Sequence, residues 1–313
     1  MCSSDLHDPA AVNFTLVDMD RAADLGEALD VATRSGIPAQ NFVAGDRAGH
    51  IGWTIAGQLP HRLSESGVNR LSTDRAVGFD GWIDPADHPR LTDPADGAIA
   101  TANARVVGGD SLRKIGDGGY DRGVRARMIL DDLAAKPTGI KPADMLAIQL
   151  DDRSRFLERW KNLLKGLLDE GATQGQPRRA ELARVLGQWS GEASVGDPAY
   201  RLVRSWREEV ERRAFAALVA PARQANPGFA FRAPATFEGP LWALVTERPV
   251  HLVPSGSTDW RGFLLGTADA VLNDLAGQCS VLAECTWGKA NRVSIRHPMS
   301  VAVPALADLA DIP

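Results

Sequence analysis

The spacing of apolar residues changes character along this chain, and that change limits the folds open to it more than any other feature. Ile51, Trp53 and Ile55 alternate after the turn-forming run Asp46-Arg47-Ala48-Gly49, and Asn41 to Gly45 precede it as a second strand. That pattern predicts a β-hairpin. From Tyr120 onward apolar residues recur at helical intervals, predicting helices over Arg122 to Ala135, Pro142 to Leu150, Arg153 to Asp169, Arg178 to Trp189, Ala199 to Leu218, Leu241 to Thr246 and Trp260 to Leu275. One more helix is expected early, over Arg21 to Ser35, stopped by Gly36-Ile37-Pro38. A β-rich first third, residues 7–119, followed by a mainly helical region, residues 120–313, predicts an α+β fold.

Between these regions lies a Pro-, Asp- and Gly-rich passage from Leu59 to Gly97, longer than a simple connector and expected to serve as a binding loop or lid. It is followed by an expected short strand, Ala98-Ile99-Ala100, that delivers Thr101 to Arg105 into a loop.

Composition narrows the class of partner. With 44% apolar and 24% charged residues among 313, the chain can bury a core. Its net charge of -5 comes from acids and bases mixed along the length, without a basic block, so nucleic acid is not an expected partner. No uncharged apolar run approaches the ~20 residues needed to cross a bilayer, so no membrane partner is expected either. The first six residues, Met1-Cys2-Ser3-Ser4-Asp5-Leu6, resemble the translation of a sequencing adapter, and the last eight stop without a closing element. Truncation at both ends is expected. Cys279 and Cys285 have five residues between them, which leaves two readings open: ordinary cysteines, or a disulfide across a short loop of the kind that suits an oxidising compartment.

The serine-hydrolase signals fail. Gly109-Asp110-Ser111-Leu112 shares four letters with the GDSL esterases, but neither His251 nor His297 follows an Asp by three residues, so the relay that would activate Ser111 is missing.

A better match is a set of patterns in one order. Gln40-Asn41-Phe42-Val43-Ala44-Gly45-Asp46 is followed by Gly49-His50-Ile51-Gly52-Trp53, Gly57 and Pro60. Then come Asp93 to Asn103 (Asp-Pro-Ala-Asp-Gly-Ala-Ile-Ala-Thr-Ala-Asn), Tyr120-Asp121-Arg122, Ala147-Ile148-Gln149-Leu150-Asp151, Trp189-Ser190-Gly191, and Thr286 to Arg292 with Arg296-His297-Pro298. Together these resemble the catalytic subunit of the penicillin acylases from about Asp18 to the end. The stretch Leu59 to Asp80 departs from that family's usual Pro-Gly spacing.

The resemblance implies an N-terminal-nucleophile hydrolase: an αββα sandwich with a large helical insertion, cleaving a linear amide in a small N-acyl substrate. In that family the nucleophile is the first residue of the larger subunit, and its own α-amino group is the base, with an unperturbed pKa near ~8. On this alignment the nucleophile lies outside the chain, the fragment alone is expected to be inactive, and its partners are an upstream α subunit and the rest of the β subunit. Asn103 takes the place of an oxyanion-hole donor, Arg122 that of the active-site arginine, and Gln40 that of an acyl-pocket residue. No cofactor is expected beyond a structural calcium ion, to which Asp110 would contribute. The family resemblance further implies a periplasmic or secreted location.

Each residue also has a plainer reading. An Asn after a short strand is usually a turn residue bonded to its own backbone. Arg122 would then be a surface arginine paired with Asp121 or Asp117, Gln40 a strand-edge residue, and Trp53 and Trp287 core. A non-catalytic relative serving as a binding or structural module is the rival reading from another functional class.

Overall fold

The computed structural model describes residue 9 and residues 12–62, 79–116 and 119–311. The adapter-like hexapeptide, residues 63–78 of the long Pro/Gly-rich passage, and Asp117 lie outside the described residues. The chain divides into two compact units, Met1–Gln149 with Pro234–Thr236, and Leu150–Ala233 with Phe237–Pro313.

In the first unit α1 runs Leu25–Arg34, with Asp24 capping it by accepting the Glu27 N–H. The helix expected from Arg21 therefore starts four residues later, at a residue type suited to satisfy an orphan N–H. Residues Thr15–Arg21 form a 3-10 turn instead. β1 (Gln40–Gly45) and β2 (Ile51–Ala56) form the expected hairpin, with Val43 opposite Trp53.

Two short strands, β3 (Pro60–Arg62) and β4 (Phe79–Trp82), pair with each other. β5 (Arg90–Thr92) takes the other edge of β2, giving the order β1-β2-β5. β2 is thus a central strand, and both of its faces are buried. Trp53 and Ile55 pack with Leu59 and Ile83 on one face. The alternate residues Gly52, Thr54 and Ala56 are small because α1 lies close: a Cβ at Gly52 would stand 3.0 Å from the Leu25 methyls.

The expected strand at Ala98-Ile99-Ala100 does not form. Ile99 packs against the Trp53 cluster, but with β5 on the open edge of β2 its backbone joins no ladder among the described residues. Three helices complete this unit: α2 (Gly109–Ile115), α3 (Val124–Ala135) and α4 (Pro142–Gln149). α3 and α4 belong with the strands, although the helical spacing begins well before the boundary at Gln149.

The second unit is helical, comprising α5 (Arg155–Leu167), α6 (Glu170–Thr173), α7 (Pro177–Gly187), α8 (Pro198–Leu218), α9 (Ala220–Ala225), α10 (Glu238–Glu247), α11 (Trp260–Ala276) and three short helices, α12 (Trp287–Ala290), α13 (Pro298–Ala302) and α14 (Ala307–Ala310). α8 contributes Leu202, Val203, Trp206 and Val210 to a core shared with Trp160, Leu164, Leu241 and Leu264. Trp206 meets Trp160 edge-to-face at 5.8 Å between centroids, the arrangement favoured by ring quadrupoles.

Glu238 is buried inside this core and is satisfied by donors rather than by water. Trp160 Nε1 reaches its Oε1 at 2.9 Å, and the guanidinium groups of Arg159 and Arg207 close on the same carboxylate. A disulfide joins Cys279 to Cys285 over a Cα–Cα span of 5.7 Å, so the second of the two cysteine readings is the one observed. No helix among the described residues is long and apolar enough to cross a membrane.

Candidate active site

Asn103 is held by a strained turn. Ala104 N–H donates to Thr101 C=O at 2.7 Å, and the two central residues, Ala102 and Asn103, both have positive φ, 42° and 61°. Such a turn needs left-handed backbone at both positions, which asparagine tolerates and alanine does not favour. The exposed Asn103 side chain does not turn back onto its own backbone. Its Oδ1 accepts a hydrogen bond from Arg125 Nη2 at 2.8 Å, 22 residues away. A carboxamide presents its oxygen to a guanidinium, so Nδ2 is the end left to donate. Among the described residues no acceptor bonds it.

Asn103 is bonded by Arg125, a residue that the family motifs did not single out. Gly123, in left-handed conformation at φ 79°, caps α3, so the helix begins at Val124 and Arg125 projects from its first turn. Arg122 stands before the helix, its N–H donating to Asp121 Oδ1 at 2.8 Å. Asp121 ties the loop to the helix: its N–H donates to Asn103 C=O at 2.9 Å, and its Oδ2 accepts from Arg125 Nη2 at 3.1 Å. The Arg122 N–H holds the Asp121 carboxyl below its ordinary range; partial burial opposes this, and Arg125 adds to it. The carboxyl is therefore ionised at neutral pH, and the Arg125 charge lies against it.

Asp121 entered the sequence reading only as part of a motif and as a partner of Arg122, and Arg125 not at all, although a signal for their pairing is present. A cation in a helix's first turn opposes the helix dipole, and an acid four residues earlier is the compensation that such a cation needs.

The remaining expected residues lie elsewhere. Gln40 opens β1, exposed, opposite Ala56. Ser111 lies in the first turn of α2, and its hydroxyl makes no hydrogen bond among the described residues. His297, a possible relay partner, instead accepts the Met299 N–H at a helix start.

Asp110 is exposed and ion-paired with Arg113, and no group of three His, Cys, Asp or Glu side chains comes together among the described residues. Calcium binds through six to eight oxygens, of which Asp110 would be one contributor. Trp53 is buried, as the plainer reading had it, and Trp287 is half-buried, edge-on to Tyr200 at 5.0 Å.

The hairpin tip carries a second polar group. His50 Nδ1 bonds Asp93 Oδ2 at 2.7 Å, which raises the His50 pKa above its usual value, chiefly through that bond. Asp93 in turn accepts the Ile51 N–H at 3.0 Å and pins the start of β2. In contrast, His88 is buried, with Nδ1 3.4 Å from Ile55 C=O and Nε2 unpartnered, and burial pushes its pKa down.

Comparison with known proteins places these features in a family context. The family model described as penicillin amidase matches residues 4–313. Penicillin acylase 2 proenzyme from a Pseudomonas species is 29% identical over 299 residues, covering 94% of this chain and 37% of the relative. An acyl-homoserine lactone acylase, QuiP, of Pseudomonas fluorescens is 25% identical over 316 residues, covering 90% of this chain and 37% of that protein. The chain thus spans 37% of the length of these two relatives. Among solved structures, a thermostable penicillin G acylase from Alcaligenes faecalis superposes with a TM-score of 0.59 at 19% identity, covering 87% of this chain and 53% of its own. The likeness in fold confirms the α+β class.

Proposed function

The chain belongs to the penicillin amidase family, and from that premise we propose that it is part of an enzyme that hydrolyses a linear amide in a small N-acyl compound. Asn103 Nδ2 is the donor to the oxyanion in this reading. The observation that carries it is the Arg125 to Asn103 bond, which occupies the carboxamide oxygen and leaves Nδ2 as the end available to donate.

The attacking nucleophile in this reading comes from polypeptide outside the 313 residues. Its oxygen or sulfur forms a bond to the amide carbon, and the carbonyl π-electrons move onto oxygen. The charge that develops there is met by Nδ2 of Asn103. The C–N bond then breaks, the amine leaves with the proton taken from the nucleophile, and water releases the acid from the acyl-enzyme. Arg125 does not touch the reacting atoms: it fixes the amide and, as a nearby cation, makes Nδ2 a stronger donor. Donors fixed in advance stabilise a transition state because no reorganisation is needed as charge develops.

The acyl-homoserine lactone acylase and penicillin acylase relatives support N-acyl substrates, either a β-lactam side chain or an N-acyl homoserine lactone. The Cys279–Cys285 disulfide supports an oxidising compartment, periplasmic or extracellular.

The test is kinetic. In the full-length gene product, Asn103→Ala should lower kcat by about 10²–10³ on a chromogenic phenylacetyl or fatty-acyl amide, and unchanged turnover sinks the assignment. The 313-residue chain expressed alone should not turn over either substrate. Activity there would place the nucleophile inside the chain.

A further inference from the structure

We propose that Asp121 is a positioning residue for the Asn103 carboxamide, acting through Arg125; this rests on the reading that Asn103 supplies the oxyanion donor. Three hydrogen bonds among three residues close a ring. The Asn103 carbonyl accepts the Asp121 N–H at 2.9 Å, Asp121 Oδ2 accepts from Arg125 Nη2 at 3.1 Å, and the same Nη2 donates to Asn103 Oδ1 at 2.8 Å. An Nη2 carries two hydrogens, so both are used, one on the carboxylate and one on the carboxamide. The other carboxylate oxygen is held by the Arg122 N–H, so Asp121 has no freedom to swing away.

The need for Asp121 follows from where Arg125 sits. Its side chain is 59% exposed and projects from the first turn of α3, where the helix dipole repels a cation. Without a fixed carboxylate the guanidinium would swing into solvent, since a long exposed side chain regains rotamer freedom there. The Asn103 amide would then flip freely, and its oxygen would face the developing oxyanion for part of the time. Because Asp121 bonds the Asn103 main chain as well, it sets the loop and the side chain from one residue.

The experiment uses Asp121→Ala and Asp121→Asn in the full-length gene product, each alone and combined with Arg125→Ala. Asp121→Ala should lower kcat about ten-fold with KM unchanged. Asp121→Asn, which keeps an acceptor for Nη2, should lose less. In the Arg125→Ala background Asp121→Ala should cost nothing more, because residues that act as one unit are not additive. Unchanged kcat in Asp121→Ala, or full additivity with Arg125→Ala, overturns the proposal. A second measurement does not depend on catalysis: the 15N side-chain amide signal of Asn103 in the 313-residue chain should move in Asp121→Ala, and a signal that stays put overturns the proposal. If Asn103→Ala leaves turnover unchanged while that signal moves, the catalytic reading of Asn103 fails and the positioning relation stands.

Discussion

Arg125 reaches across 22 residues of chain to place Nη2 2.8 Å from the Oδ1 of Asn103. The contact joins the first turn of a helix to a left-handed turn, two local structures that sequence proximity does not connect. It sets which end of the carboxamide is left to donate, and the planar rigidity of the guanidinium matters as much as its charge. Arg125→Lys keeps the charge and has donors enough for both acceptors, but its ammonium turns freely on a flexible stem where the guanidinium is a rigid planar group, so the carboxylate and the carboxamide are held less firmly. We expect kcat of the full-length enzyme to fall about ten-fold or more, with KM little changed. A kcat equal to wild type would show that charge alone suffices.

Buried His88 predicts a pH dependence of stability. Its pKa in the folded chain lies below the ~6.5 of an unfolded histidine, so the unfolded chain binds the proton first as pH falls. Stability should therefore decline as pH drops below ~6.5 and level off beneath the depressed folded value. His50 has the opposite sign. Its folded pKa is raised by Asp93, so its contribution is complete below ~6.5 and is lost as pH rises through the folded value. The difference between wild type and His88→Gln isolates the first effect, and thermal melts from pH 5 to 8 would measure it. Parallel curves for the two proteins would rule it out.

Removing the Glu238 carboxylate should be among the most damaging single changes in the helical unit. Glu238→Ala leaves the buried Arg207, 3% exposed, without its cross-helix partner and takes the acceptor from the Trp160 indole. Loss of one member of a buried ion pair typically costs about 3–5 kcal/mol, and the lower end applies because Arg207 also pairs with Glu211. Urea unfolding of the variant is the measurement, and a loss below about 1 kcal/mol would mean that the network behaves as a surface pair.

The Cys279–Cys285 disulfide can be checked by counting thiols. The chain has three cysteines, and with one pair bonded, the denatured and unreduced protein should show one reactive thiol, from Cys2, rising to three after reduction. Converting both bonded cysteines to serine should cost about 2 kcal/mol, as the closed loop is short.

Much of this architecture is legible in the sequence. Helices such as α8 and α11 carry apolar residues at the spacing that buries one face, and the hairpin carries its turn residues between alternating strands. The strand expected at Ala98-Ile99-Ala100 failed because alternation reports burial, which Ile99 achieves, while a ladder also needs a free neighbouring edge. Arg122 was singled out by its place in the Tyr120-Asp121-Arg122 motif, and such a motif carries no sign that Arg125, in the first turn of α3, also reaches Asn103.

The sequence by itself determined the α+β class, the positions of most helices, the hairpin and its turn, and the ordered motifs that mark the penicillin amidase family. Local propensity, periodicity and short motifs are properties of neighbouring residues, so one strand of letters carries them. Only the tertiary structure decided that β2 is buried on both faces, that Cys279 and Cys285 are joined, and that Asp121 and Arg125 close on Asn103. Each depends on distance in space between residues whose separation along the chain carries no direct energetic signal. For Asn103 the deciding element was a single hydrogen bond, because an amide has two ends that differ chemically and only a partner across the fold can select between them.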